Sequence, residues 1–140
     1  MSGWIGVDFD GTLCEYPGTF GVPHEIGKPI PKMVARVKQW LSEGKEVRVF
    51  TARAAGPFVD TRGQDIGEAA ALLEVQDWCK IYIGQVLPIT CRKDYNMIEL
   101  WDDRAVQVYP NTGIALQEYV EALETELDSI DSDAEDRRFN

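Results

Sequence analysis

Trp4-Ile5-Gly6-Val7-Asp8-Phe9-Asp10-Gly11-Thr12 is the stretch on which the reading of this chain turns. Trp4 to Val7 is a short apolar run of the kind that forms a buried strand. The Gly11-Thr12 pair ends it in a turn. Asp8 and Asp10 therefore sit where the backbone leaves the sheet. Two carboxylates held close together are costly unless a proton or a cation compensates. Mg²⁺ suits such an all-oxygen site. A carboxylate beside it can act as a nucleophile toward phosphorus.

Further along, Val47-Arg48-Val49-Phe50 reads as a second strand and ends in Thr51. Ile98-Glu99-Leu100-Trp101 reads as another and ends in Asp102-Asp103, with Lys93 in the loop before it. Each polar group lies at the C-terminal end of an apolar run or near one, where ligands bind in open α/β sheets.

Taken in order, Asp8-Phe9-Asp10-Gly11-Thr12, Phe50-Thr51-Ala52-Arg53, Lys93 and Asp102-Asp103 resemble the four motifs of the haloacid dehalogenase superfamily of phosphohydrolases. The resemblance spans most of the expected folded part. It implies a small member with a hairpin flap between Leu13 and Gly27 in place of a cap domain. It also implies hydrolysis of a phosphomonoester in two displacements. Asp8 would attack phosphorus and Asp10 would protonate the leaving oxygen. Asp10 would then activate the water that frees Asp8.

On the same resemblance, Mg²⁺ would be held by the Asp8 side chain, the Asp10 main-chain carbonyl and an aspartate of the final pair. Asp103 is favoured as the more direct ligand, with Asp102 direct or through water. Thr51, Ala52 and Lys93 would hold the phosphoryl oxygens. Gly11 would allow close approach of the backbone. Arg53 has two readings, a grip on the substrate's phosphate or an ion pair with an acidic neighbour. Lys93 and Arg92 are adjacent, and either can be a surface charge.

The pattern of elements implies an α/β fold, a Rossmann-like three-layer sandwich with a mainly parallel five-stranded sheet and no cap domain. Strands are expected at Gly3 to Asp8, Val47 to Phe50, Ile81 to Ile83, Ile98 to Trp101 and Val106 to Tyr109. Helices are expected from Pro31 to the stop at Gly44, from Gln64 to Trp78, and from Ala115 to about Leu127. Residues 1–127 form the hydrolase-like domain in this reading. Residues 128–140, acidic and with little to bury, are expected to be disordered.

Composition narrows the function classes. The 140 residues suffice for one core. No run of about 18 apolar residues is present, which argues against a membrane span. No charged-then-apolar leader is visible either, so a cytoplasmic protein is expected. Cys14, Cys79 and Cys91 lack framework spacing and read as free thiols. The single histidine, His24, excludes a multi-histidine metal centre. The formal charge of −10 argues against broad attraction to nucleic acid. A local basic pocket around Arg48, Arg53, Arg62, Arg92 and Lys93 is compatible with it.

Other classes fit less well. A receiver-type signalling domain places its acidic pair early and its acceptor aspartate later, the reverse of the order here. Dehalogenases lack the second aspartate of the first motif. A module that binds metal and phosphate without turnover, or a phosphotransferase of the same fold, shares every motif and stays open. The substrate's identity is not legible. A site without a cap favours large phosphorylated substrates slightly, such as polynucleotide ends or phosphoproteins, although the charge opposes the former. A homo-oligomer would change that by lending a lid from a neighbour.

Overall fold

The computed structural model describes residues 3–16, 18, 25–60 and 62–138, with side chains as far as residue 130. Pro17, Gly21, Pro23 and His24 of the expected flap lie outside the described residues. Strand β1 (Trp4–Val7) is followed by helix α1 (Pro31–Ser42) and strand β2 (Glu46–Phe50). Helix α2 (Gly67–Tyr82), strand β3 (Ile89–Thr90) and strand β4 (Met97–Trp101) complete the first unit. The order across the sheet is β3-β2-β1-β4, and every pairing is parallel. This is a Rossmann-like α/β arrangement.

Strand β1 is central and buried along its whole length. Successive residues of a strand face opposite sides, so burial of all four requires cover on both faces. The core joins Ile5, Val7 and Phe9 to Val34 and Val37 of α1 and to Val75, Trp78 and Cys79 of α2. Phe9 meets Trp78 edge-on at 5.0 Å, and Trp40 of α1 lies 5.2 Å from Trp101 of β4. Pro31 opens α1 at its first turn, where a missing N–H costs nothing.

Three expectations are corrected. The sheet has four strands among the described residues, not five. Val106 to Tyr109 does alternate, but it folds back on its own neighbourhood. Tyr109 N donates to Ile114 O and Leu116 N to Gln107 O, around a turn with Asn111 at φ 63° and Gly113 at φ 72°. Only an isolated antiparallel bridge, Val108 to Ala115, results.

The expected strand at Ile81 to Ile83 is instead the end of α2. Val75, Trp78 and Cys79 are buried at helical spacing, and Tyr82 continues the face by packing on Trp78 at 5.0 Å. The third strand is Ile89–Thr90, inside the stretch read as a loop.

The final helix, α3 (Leu116–Arg138), continues past Leu127 through the acidic segment expected to be disordered. Ile130 prolongs the apolar stripe of Val120, Leu123 and Leu127, which gives the helix pattern one more turn. The chain divides into two compact units, residues 1–103 and 104–140. No helix among the described residues is long and apolar enough to cross a membrane.

Candidate functional site

In the sheet order β3-β2-β1-β4 the chain runs outward from β1 to β3 and then returns to the other side of β1. The crevice beyond the C-terminal ends of β1 and β4 is thus the switch point of the sheet. Asp8 N donates to Trp101 O at 2.8 Å, which locks the first residue beyond β1 to the last residue of β4. That bond brings Asp8 beside Asp102-Asp103. Oxygens of Asp8, Asp102 and Asp103 all lie within 4.8 Å of one another.

The cluster strains Asp8. Its carboxyl pKa is pushed from 3.8 up to about 7, first by burial, then by a hydrogen bond with Asp103 and by the charge of Asp102. The Phe9 N–H opposes this by donating to the carboxylate. Thr12 Oγ1 also donates to Asp8 Oδ2, at 3.2 Å. A divalent cation with a taste for hard oxygen donors fits this set, because it would relieve the crowding that keeps Asp8 protonated.

The turn after Asp8 is built on one carbonyl. Phe9 O accepts from the amides of Thr12, Leu13 and Cys14 and from Cys14 Sγ. Gly11 N donates to Cys14 O at 2.8 Å. What the bare Gly11 admits is the Asp103 carboxylate, since a β-carbon on Gly11 would overlap Asp103 Oδ2. Beyond the turn, Glu15 N donates to Lys28 O and Ile30 N to Leu13 O. The two ends of the expected flap are therefore paired.

Asp10 faces a different partner. Arg53 Nε donates to Asp10 Oδ2 at 2.7 Å and Arg53 Nη2 to Asp10 Oδ1 at 2.9 Å. This is a side-on, two-bond pair, with the side chains 20% and 17% exposed. Burial works against the Arg53 charge, but the bond to Asp10 and the Asp10 charge outweigh it and raise the guanidinium pKa. Cys14 Sγ lies 3.8 Å from Asp10 Oδ1. Burial and then the Asp10 charge push that thiol up to about 12, so Cys14 stays protonated and serves as a weak donor.

Thr51 follows β2 directly and is 3% exposed. Its N–H donates to Thr90 O, and its Oγ1 accepts from Arg53 N at 3.1 Å. It thereby caps a 3₁₀ turn over Ala52–Ala54 and aims the Arg53 backbone at the first motif. Ala52 begins that turn and is exposed.

The structure thus joins Asp8, Gly11, Asp102 and Asp103 in one contact group and Asp10, Thr51 and Arg53 in a second. Phe9 and the turn it organises connect the two groups. Lys93 stands apart. It lies in the loop between β3 and β4 with its side chain exposed. Among the described residues no salt bridge joins it to Asp8 or Asp103. It helps line an open hollow of about 650 Å³ along β4, whose walls include none of the four aspartates. Of the two sequence readings of Arg53, the structure shows the ion pair with an acidic neighbour, Asp10. The contact of Cys14 with Asp10 had no signal in the sequence, which marks Cys14 only as a free thiol.

No protein-family model and no curated protein matches the chain. A comparison with solved structures finds similarity to a conserved protein from Bacteroides thetaiotaomicron, at 21% identity and a TM-score of 0.50. The match covers 79% of this chain and 84% of that one. The likeness is one of fold.

Proposed function

We propose that this protein is a metal-dependent phosphomonoester hydrolase of the haloacid dehalogenase type, with Asp8 as nucleophile. The observation that carries the reading is the convergence of Asp8, Asp102 and Asp103 at the switch point between β1 and β4, with Asp10 two residues beyond Asp8. Asp8 and the final pair would hold Mg²⁺, joined by the main-chain carbonyl of Asp10. Bound there, the ion would keep Asp8 ionised and neutralise phosphoryl charge.

The chain's own residues do the rest. An Asp8 oxygen bonds to phosphorus as the ester P–O bond breaks. Asp10 gives its proton to the departing oxygen. Asp10 then takes a proton from water, whose oxygen attacks phosphorus and releases Asp8. Thr51 uses its oxygen to cap the 3₁₀ turn, so its O–H is a donor for a phosphoryl oxygen. Lys93 would add its charge to that of the metal at the phosphoryl group.

The test is phosphate release from an aryl phosphate with Mg²⁺ and with EDTA, for the wild type, Asp8→Asn and Asp10→Asn. Turnover should require Mg²⁺ and vanish in Asp8→Asn. Asp10→Asn should be slower by about 10²–10⁴-fold, with no recovery at saturating metal. Near-wild-type activity in Asp8→Asn would end the proposal. One observation favours a second reading, a phosphate-binding module without turnover: both Asp10 oxygens are engaged by Arg53. Binding of inorganic phosphate with no Mg²⁺-dependent release from any ester would select it.

A further inference from the structure

The pair between Arg53 and Asp10 creates a difficulty for the chemistry just proposed, and its resolution assigns Arg53 a task. This inference rests on the hydrolase reading. Both carboxylate oxygens of Asp10 accept short, charge-assisted bonds from the same guanidinium, at 2.7 and 2.9 Å. An oxygen bonded in this way is not directed at a leaving group. Asp10 can act on substrate only after the fork has moved.

The local structure fixes which part moves. The Arg53 backbone is anchored by its N–H to Thr51 Oγ1, in a turn attached directly to β2. Asp10 is held in the turn after β1, between Phe9 and Gly11. The Arg53 side chain is the longer of the two and has more rotatable bonds than Asp10, and its guanidinium lies 6.0 Å from the centre of the Phe9 ring. A guanidinium fork matches phosphate oxygens as well as it matches a carboxylate. A phosphate dianion carries twice the charge of the carboxylate it would displace.

We propose that Arg53 is a substrate-operated latch, clamping Asp10 in the empty site and transferring its fork to phosphate oxygens when substrate binds. The transfer frees Asp10 to turn toward the leaving oxygen. It ties release of the acid–base group to the presence of a phosphoryl group. It makes Arg53 a binding residue for the substrate and a positioning residue for Asp10.

The experiment uses the full chain with Mg²⁺. A crystal structure with orthovanadate should show Arg53 nitrogens within hydrogen-bond distance of vanadate oxygens and withdrawn from Asp10. Calorimetry with inorganic phosphate supplies the second readout. Arg53→Lys, which keeps the charge and loses the fork, should weaken phosphate by roughly 10- to 100-fold, the value of one charge-assisted bond. Asp10→Asn should tighten phosphate, and the gain should disappear in the Arg53→Lys, Asp10→Asn double variant. An anion bound with the fork still on Asp10 overturns the latch, as does wild-type phosphate affinity in Arg53→Lys. If Mg²⁺-dependent turnover persists in either case, the hydrolase reading survives without it. Absence of both anion binding and turnover removes the two together.

Discussion

Gly11 and Asp103, ninety-odd residues apart in the chain, are packed so closely that a β-carbon on the first would overlap Oδ2 of the second. Gly11 also holds φ at 87°, a conformation that side chains resist. Gly11→Ala therefore meets two obstacles at once. The backbone strain alone is about 1–3 kcal/mol. The displaced Asp103 should also weaken Mg²⁺. A melting curve and a metal titration on the variant should both worsen, and unchanged Mg²⁺ affinity would show that Asp103 does not bind the ion.

Asp8 gives the metal-free protein an unusual pH dependence. Its carboxyl pKa is raised from 3.8 in the unfolded chain to about 7 in the folded one. Between those values the folded state holds the extra proton, so stability falls as pH rises. The contribution is full below the lower value and is lost as pH passes the upper one. The melting temperature in EDTA should decline from pH 5 to pH 8. Asp8→Asn should flatten that decline, and saturating Mg²⁺ should reverse it. A melting temperature that rises over this window without metal would contradict the crowding of the three carboxylates.

The two aspartates after β4 should be unequal. Asp103 shares a hydrogen bond with Asp8, whereas Asp102 acts on Asp8 through its charge. Asp103→Asn should weaken Mg²⁺ more than Asp102→Asn does, as read by calorimetry at fixed pH. Equal or reversed effects would make Asp102 the closer ligand.

Removal of residues 129–140 should leave both melting temperature and turnover nearly unchanged. Residues 117–130 of α3 are exposed, so the described end of the helix buries little that its loss would uncover. A fall of several degrees, or a loss of activity, would show that this segment supports the fold.

The legible parts of the chain were those governed by local pattern. Trp4 to Val7 and Val47 to Val49 are apolar runs bounded by polar ends, and Pro31 to Gly44 carries both a helix start and a stop. The strand tips followed from these and from Ile98 to Trp101, and with them Asp8, Thr51 and Asp102-Asp103. Strand β3 was missed because two residues, Ile89 and Thr90, are too few to carry a period. Ile81 and Tyr82 misled because three apolar residues at a helix end look the same as a short buried strand. Val106 to Tyr109 does alternate, but alternation does not say which partner a segment takes. The pairing of Arg53 with Asp10 is a contact across 43 residues, decided by how the turn after β2 faces the turn after β1. Nothing local encodes it.

The central place of β1 sets the order in which the site comes into being. Trp4 pairs with Glu46 on one side and with Met97 on the other. As the chain leaves the ribosome, β2 can dock on β1 while β4 is still unmade, and closing the longer loop to β4 carries the greater entropic cost. Asp8 and Asp10 are thus made before Asp102 and Asp103. A chain made only as far as β2 holds one of the three clustered carboxylates and no switch-point crevice, so any capacity to bind a divalent cation there marks a chain that has completed its sheet.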